Sequence, residues 1–390
     1  MRPEGASPPA ISLLHDARHG YGSGMMQNPP FDTLRFPFPQ PPAPAGPIEI
    51  APGILWLRMP LPFRLNHINI FLIEDGDGWA VLDTGIANDA TREIWEALAA
   101  GPLAGRRLTR LIVTHYHPDH IGLAGWLAER FGVPLLTTQN TYLQCLTISL
   151  SPGALEAPVY RDFYIRRGLK PELTAAVSTL GHAYLKMVTP LPPIFERIAD
   201  GDRLNIGERS FEVITGEGHA PELAMLYCAK DKLFLAGDQV MEKISPNVSV
   251  WAVDPHGDPL GLYLRSLKEL KTRVANDVLV LASHHRPFYG LHERIDELAA
   301  HHVLRCDAIR EAARTPKTAA ELLPVVFHKP LDPHETSFAF SEVLAHVNYM
   351  LREGTLAWAG PQNGIERVIA VGPAGLQRHI NSPERAGGNF

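Results

Sequence analysis

The segment LTRLIVTHYHPDHIGLAGWL, residues 108–127, carries three histidines and one aspartate within six consecutive positions: His115, His117, Asp119 and His120. The apolar run before them predicts a buried strand, and the segment IGLAGWLAERFG after them, closed by Gly132, predicts a helix. Imidazole and carboxylate groups together bind zinc, iron(II) or manganese(II). The sequence therefore predicts a metal site at this turn, in preference to a solvated polar loop.

The spacing within the turn suits more than one ion. In an extended loop, the pattern His-x-His can direct both imidazoles of His115 and His117 to one ion. Asp119 and His120, which follow directly, then face a second position. One turn can thus supply ligands to two metals.

Further candidate ligands follow predicted strands elsewhere in the chain. Asp83 ends a hairpin formed by HINIFLIED and WAVLD, and His219 and Asp238 end two later hairpins. The strand DVLVLA leads into His284 and His285. Because α/β folds place their functional groups at strand ends, we expect these side chains to meet the turn at 115–120.

These segments resemble the motifs of the metallo-β-lactamase superfamily. THYHPDH resembles its HxHxDH signature, VLDTG its first motif, GEGHAPE its third, FLAGD its fourth and LASHHRPF its last. The order and spacing agree across residues 50–290, about two thirds of the chain. The resemblance implies an α/β fold, a four-layer αββα sandwich of two similar halves.

The resemblance also implies a role for each motif residue. One ion is expected on His115, His117 and His219, and the other on Asp119, His120 and His284, with Asp238 bridging them and Asp83 accepting a hydrogen bond from a ligand histidine. The family has glycine where this chain has His285, so either neighbour is a candidate for the last ligand, and the alignment of LASH favours His284. We expect two divalent ions, zinc first, with iron or manganese as alternatives.

The implied activity is hydrolysis. Two divalent ions about 3.5 to 4 Å apart lower the pKa of a shared water toward about 7, so that hydroxide attacks the substrate while Asp119 or Asp238 moves a proton to the leaving group. In the true β-lactamases the position of Asp238 is cysteine or the bridging carboxylate is missing, so the resemblance points to the glyoxalase II-like group and to a thioester or lactone. The alternatives are a metal-dependent endoribonuclease or phosphodiesterase, a mono-iron persulfide dioxygenase that uses part of the same ligand set, and a metal-stabilised regulator without catalysis.

The composition changes along the chain indicate its organisation. We predict a disordered Pro-rich tail at 1–47, a catalytic domain at 48–292 with a helical insertion at 141–200, a winged-helix-like domain at 293–375 and a tail at 376–390. The insertion is rich in aromatic side chains that form either a lid over the site or an ordinary helical core: Tyr142, Tyr160, Phe163 and Tyr164. His67 and Glu222 remain open between roles near the site and structural roles, and His292, His301 and His302 are predicted to form a solvated helix face.

The charge of the chain argues against nucleic acid and membrane partners. The formal net charge is -6, and residues 293–370 carry 8 basic and 11 acidic residues, too few cations to hold phosphates. Three scattered cysteines and no targeting segment predict a cytoplasmic protein without disulfides. We expect a small-molecule substrate, no DNA and no membrane partner, and the sequence leaves a homodimer open.

Overall fold

The computed structural model describes residues 34–372 and contains two large β-sheets that face each other. The first sheet has seven strands in chain order, antiparallel from the first to the fourth and parallel from there on. Its strands are β1 (Ile48–Ala51), β2 (Ile54–Pro60), β3 (His67–Asp75), β4 (Gly78–Leu82), β5 (Arg107–Val113), β6 (Leu135–Thr137) and β7 (Glu196–Arg197).

The second sheet has five strands, and the C-terminal region adds a separate antiparallel pair. In the five-stranded sheet the order is β12-β11-β10-β9-β8, and only the pairing of β11 with β12 is parallel. These strands are β8 (Arg203–Ile206), β9 (Arg209–Gly216), β10 (Leu223–Cys228), β11 (Leu233–Gly237) and β12 (Leu279–Ala282), and the pair is β13 (Leu356–Trp358) and β14 (Val368–Ala370).

Eleven α-helices complete the part of the chain that is described. They are α1 (Asp89–Ala100), α2 (Pro118–Ile121), α3 (Ala124–Phe131), α4 (Gln139–Leu150), α5 (Pro158–Arg166), α6 (Pro171–Ser178), α7 (Leu180–Leu185), α8 (Pro259–Arg273), α9 (Leu291–Ala312), α10 (Ala319–Val326) and α11 (Pro333–Arg352). Side-chain caps fix several starts: Asn88 accepts from the N–H of Thr91, and Asp258 accepts from the N–H of Gly261. Within residues 34–372, no helix has the length and apolar character that crossing a membrane requires.

Three clusters of buried apolar residues define the layers. The cluster between the sheets joins residues of the first sheet, such as Trp56 and Phe71, to residues of the second, such as Phe211. A second cluster joins the outer face of the first sheet to α1 and α3, for example through Trp95. A third covers the outer face of the second sheet, where Phe234 lies in the same cluster as residues of α8, α9 and α11. This order of helix, sheet, sheet and helix confirms the predicted αββα fold.

The C-terminal region consists of α9, α10 and α11 followed by the β13–β14 pair, in the order that the sequence predicts. It has no separate core, because Leu322, Phe340 and Leu344 belong to the same cluster as the outer face of the second sheet. It therefore forms the outer layer over that sheet. The tail predicted at 376–390 lies outside the described residues.

Two predictions about polar or tail segments need correction. Within the predicted tail 1–47, residues 1–33 lie outside the described residues, but Arg35 pairs its main chain with Tyr289 at 2.9 and 3.2 Å. On the helix face predicted to be solvated, the side chain of His302 is fully buried. Its Nδ1 atom lies 3.2 Å from Nε2 of His346. Residues 34–47 are thus attached at Arg35 to the strand-like segment at Tyr289, and α9 buries a histidine because α11 covers it.

The insertion is helical, as predicted, and its aromatic residues have mainly a packing role. Tyr142, Phe163 and Tyr164 are buried in the apolar clusters, which is the core alternative for these side chains. Tyr184 donates its hydroxyl to the carbonyl of Tyr116 at 2.6 Å. The insertion therefore supports the turn at 115–120 from outside.

Candidate metal centre

The turn at 115–120 is formed by a strand end and a very short helix. β5 ends at Val113, and α2 starts at Pro118, whose ring suits the first helical position because that position needs no N–H donor. His117 is extended, with φ -62° and ψ 147°, and its carbonyl accepts from the N–H groups of His120 and Ile121. This geometry turns the chain so that alternate side chains face the space between the sheets.

Glycine at position 122 allows the turn to pack closely against its surroundings. A Cβ atom on Gly122 would lie 2.3 Å from the carbonyl oxygen of Pro118 and 2.7 Å from those of Gly85 and Met187. All three are main-chain atoms that cannot move aside easily. The insertion and the first hairpin therefore approach the turn only because this residue has no side chain.

The first cluster consists of His115, His117 and His219. The Nε2 atom of His115 lies 2.9 Å from Nδ1 of His117 and 3.3 Å from Nε2 of His219. In a tetrahedral site with metal–nitrogen bonds of about 2.0 to 2.1 Å the nitrogens lie about 3.3 to 3.4 Å apart, which the second distance matches, while the first is shorter. Three imidazoles that converge in this way can share one ion.

The second cluster consists of Asp119, His120 and His284. Oδ2 of Asp119 lies 3.7 Å from Nε2 of His120 and 3.5 Å from Nε2 of His284. The ligand atoms of the three residues lie within 4.8 Å of one another, as do those of the first cluster. The chain thus brings together six predicted ligands as two groups of three.

Asp238 lies between the two clusters. Its carboxylate is 3.5 Å from Nε2 of His219 in the first cluster, and 3.6 and 3.4 Å from Nε2 of His120 and His284 in the second. Oδ1 of Asp238 and Nε2 of His120 are buried without a hydrogen-bond partner. Buried polar atoms normally have a partner, so these atoms fit a donor set that is completed by cations.

The outer nitrogens of three histidines are held by acceptors. Nδ1 of His120 donates to Asp83 at 2.8 Å, Nδ1 of His219 to the carbonyl of Asn247 at 2.8 Å, and Nδ1 of His284 to the carbonyl of His67 at 2.8 Å. Each bond places the proton on Nδ1 and leaves the lone pair of Nε2 directed to the centre. These contacts therefore prepare the rings to act as ligands.

Asp83 is a buried carboxylate that accepts from two residues. Besides His120, it accepts from the N–H of Thr114 at 2.8 Å and from the hydroxyl of Thr114 at 3.0 Å. Asp83 has a positive φ of 62°, an uncommon conformation for a residue with a side chain, and it lies at the end of β4. The predicted contact between this carboxylate and a ligand histidine is therefore present.

Burial and neighbouring charges shift the pKa values of the cluster in opposite directions. Burial and the neighbouring imidazoles hold the pKa of His115 and His117 well below the ordinary value. Burial also opposes protonation of His120, but the carboxylates of Asp119, Asp238 and Asp83 outweigh it and raise the pKa of His120. The pKa of Asp238 is held low because His284 and His120 outweigh its burial. His115 and His117 are therefore neutral, and Asp238 supplies a negative charge beside them.

The two adjacent histidines at the end of β12 have different positions. His284 lies in the second cluster, whereas the ring of His285 packs against His67 at 5.5 Å between centroids. The N–H of His285 donates to Nε2 of His67 at 2.9 Å, and His285 has a φ of 67°. His67 is thus a structural residue that fixes this turn, and Glu222 lies apart from the centre, where its carboxylate accepts from the N–H of Asn140 at 3.1 Å.

Sequence patterns do not reveal several residues that shape the centre. Asn247 orients His219 through its main-chain carbonyl, so its side-chain type carries no signal for that role, whereas His67, already a candidate from the sequence, orients His284 through its carbonyl. Thr114 directly precedes His115, and its hydroxyl lies 3.0 Å from Nδ1 of His115. Only its position between a buried strand and the ligand turn could have suggested this role.

Comparisons with known proteins agree with this geometry. Residues 64–284 match the family model of the metallo-β-lactamase superfamily. The chain belongs to this superfamily. Residues 306–369 match the model of a metallo-β-lactamase-like C-terminal domain. Members of the superfamily typically bind divalent metals, and the His and Asp clusters of this chain are a candidate site of that kind.

The matches to two solved structures and to one curated relative cover nearly the whole length of those proteins. The chain is 37% identical to a β-lactamase domain protein from Burkholderia ambifaria, with 87% of this chain and 98% of that one covered and a TM-score of 0.80. It is 29% identical to a metallo-β-lactamase family protein from Thermus thermophilus, with 83% and 100% covered and a TM-score of 0.71. It is also 24% identical to YqjP of Bacillus subtilis, a probable metallo-hydrolase, over 79% of this chain and 95% of that protein.

Proposed function

We propose that the chain is a binuclear metal-dependent hydrolase that cleaves an ester-like bond, a thioester or a lactone, in a small molecule. The observation that carries this proposal is the position of Asp238, within 3.6 Å of histidines from both clusters. A carboxylate at that position can bridge two ions. A site for one ion would not require two complete groups of three ligands.

The proposed ligand sets follow the two clusters, with Asp238 shared between them. His115, His117 and His219 would hold one ion, and Asp119, His120 and His284 the other. Two bound divalent ions, zinc by our expectation, would supply Lewis acidity and an activated water at neutral pH. The Nδ1 contacts of His120, His219 and His284 hold the rings in the orientation that this requires.

Asp119 and Asp238 are the proposed acid–base groups. The side chain of Asp119 is 19% exposed and that of Asp238 is 9% exposed, so Asp119 is the carboxylate with readier access to an entering substrate. Neighbouring histidines keep the pKa of Asp238 low, which favours its ionised form. Asp238 would therefore remain a charged anchor, while Asp119 takes the proton of the attacking water and passes it to the leaving group.

The relatives support hydrolysis in general terms. YqjP of Bacillus subtilis is named a probable metallo-hydrolase, and it matches this chain over 95% of its own length. That name does not specify a bond. The choice of an ester-like bond depends on the carboxylate bridge and on the low number of cations that could hold phosphate groups. Residues 293–370 contain 8 basic and 11 acidic residues.

Metal analysis combined with a substrate panel tests the proposal. We expect two divalent ions per chain and chelator-sensitive turnover of a thioester or a lactone. Asp238→Ala should lower both occupancy and turnover, whereas Asp307→Ala, at a half-exposed position of α9, should change neither. Two bound ions without turnover of any ester would contradict the hydrolase, and unchanged activity of Asp238→Ala would contradict the bridge.

The same panel distinguishes the alternatives. Turnover of a phosphodiester in place of the esters would favour the endoribonuclease. One iron per chain together with oxygen uptake in the presence of a persulfide would favour the dioxygenase.

A further inference from the structure

A cavity of about 640 Å³ lies between the loop that joins β2 to β3 and the start of α11. Its walls also include Asn247 and the end of α10. The loop is closed at its base by a hydrogen bond of 2.9 Å from the N–H of Leu61 to the carbonyl of Asn66. An ion pair between Arg64 and Glu335 at 2.9 Å connects the loop to α11 across the cavity.

Both walls of this cavity lead directly to the metal centre. The loop ends at His67, whose carbonyl accepts from Nδ1 of His284 at 2.8 Å. On the other wall, the carbonyl of Asn247 accepts from Nδ1 of His219 at 2.8 Å, and its side-chain amide donates to Glu342 of α11 at 3.2 Å. The cavity is thus lined by Asn247, which orients His219, and by the loop that leads into His67, which orients His284.

The chemistry of the walls favours an apolar, uncharged occupant. Most of the lining side chains are apolar: Pro62, Phe63, Leu65, Phe327, Leu331, Phe338 and Ala339. The charged residues on the lining are Arg64 and three carboxylates, Asp332, Glu335 and Glu342. Arg64 is paired with Glu335, and Glu342 with Arg305, which leaves the carboxylate of Asp332 on the lining to repel a phosphate or carboxylate group. A volume of this size is typical of small-molecule sites.

We propose that this cavity binds the apolar acyl group of the substrate, so that the hydrolase acts on esters or thioesters with medium-length hydrocarbon acyl chains. The inference rests on the proposed function, because it places the acyl carbonyl at the metal centre and its hydrocarbon chain between the loop and α11. Phe63, Phe338 and Ala339 are then specificity-determining residues.

A chain-length series measures this specificity. The substrates are N-acetylcysteamine thioesters with acyl chains of two to ten carbons, which carry no charge. We expect kcat/KM to rise about fourfold for each methylene group that enters the cavity and then to level off when it is filled. Ala339→Trp, which fills the cavity, should remove the dependence of kcat/KM on chain length.

A second variant and a matched control keep the test independent of folding. Phe63 is 42% exposed, so Phe63→Ala should fold and should flatten the chain-length dependence because one apolar wall is lost. Val303→Trp adds the same large side chain at a position of α9 that is 54% exposed, and it should behave as the unaltered chain. A flat series in the unaltered chain, or an unchanged slope in both cavity variants, would overturn the proposal while thioester hydrolysis itself still stands.

Direct binding separates the failure of this inference from the failure of the proposed function. If neither a thioester nor a lactone is hydrolysed, the proposed function fails, and the neutral fluorophore Nile red then tests the cavity alone. Saturable binding that Ala339→Trp abolishes and Val303→Trp retains would support an apolar site. No saturable binding would overturn it.

Discussion

Replacement of Asp83 by asparagine tests whether its hydrogen bonds prepare His120 as a ligand. Oδ1 of Asp83 accepts from the N–H of Thr114 and Oδ2 accepts from Nδ1–H of His120, both at 2.8 Å. Asparagine has one carbonyl oxygen and one NH2 group, so one of these two donors must face another donor whichever way the amide turns. The shape of the side chain is otherwise conserved.

The expected cost follows from this mismatch. A buried donor without a partner costs about 1 to 3 kcal/mol. If His120 relieves the clash by moving its proton from Nδ1 to Nε2, the nitrogen that faces the centre is blocked. Loss of such an outer contact typically lowers metal affinity by about 10- to 100-fold. We therefore expect Asp83→Asn to weaken one of the two ions by about that factor and to leave the other ion nearly unaffected.

Competition with a chelator of known affinity measures both binding steps, and nitrogen chemical shifts of the histidine rings report the tautomer of His120. Asp202→Asn is a matched control, because Asp202 is an exposed carboxylate that accepts from the N–H of Ala199 at 2.8 Å far from any ligand. The reasoning would be refuted if Asp83→Asn bound both ions within about threefold of the unaltered affinities and the His120 proton remained on Nδ1.

Three further predictions concern packing and buried charge. Gly122→Ala should lower the free energy of unfolding, measured in urea, by about 1 to 3 kcal/mol and should also lower metal occupancy. The reason is that its Cβ would lie only 2.3 to 2.7 Å from main-chain oxygens, and full occupancy would contradict this. Glu342→Ala should cost about 3 to 5 kcal/mol, because it leaves the buried guanidinium of Arg305 unpaired, whereas the double change to Arg305→Met and Glu342→Leu should cost less than the single one. Burial lowers the pKa of His346 from 6.5 to about 3, so the unfolded chain binds a proton as pH falls below 6.5 while the folded chain does not. This residue should therefore lower the free energy of unfolding by about 1.4 kcal/mol for each pH unit as the pH falls below 6.5. In His346→Gln, the free energy of unfolding measured between about pH 6 and pH 4 should depend less steeply on pH.

The candidate ligands could be predicted from the sequence because their chemistry is concentrated in side chains at strand ends. His115, His117, Asp119 and His120 form one continuous motif, and Asp238 directly follows the apolar run that forms β11. The alternation of apolar residues and turn glycines was also sufficient for the hairpins. Local sequence determines these features, so local patterns reveal them.

Features that depend on distant packing could not be predicted in the same way. His302 is a polar residue on the face of α9 that also buries Ile295 and Leu298, and its ring lies across from His346 of α11. Arg35 directly precedes a Pro-rich segment typical of a tail, yet its main chain pairs with Tyr289. Asn247 contributes a carbonyl oxygen that any residue possesses. In each case the partner is far away in the sequence, and no local pattern specifies it.

The C-terminal layer has a direct connection to the metal centre, which explains why the two parts share one apolar cluster. α11 accepts hydrogen bonds from the loop after β11. The carbonyl of Ser341 accepts from the N–H of Val250 at 3.1 Å, and Glu342 accepts from the side-chain amide of Asn247 at 3.2 Å. Asn247 in turn orients His219. Because a ligand ring keeps its direction only when its outer acceptor is fixed, the position of α11 determines how well the first cluster is organised. The C-terminal layer is therefore part of the metal centre's support as well as a wall of the adjacent cavity.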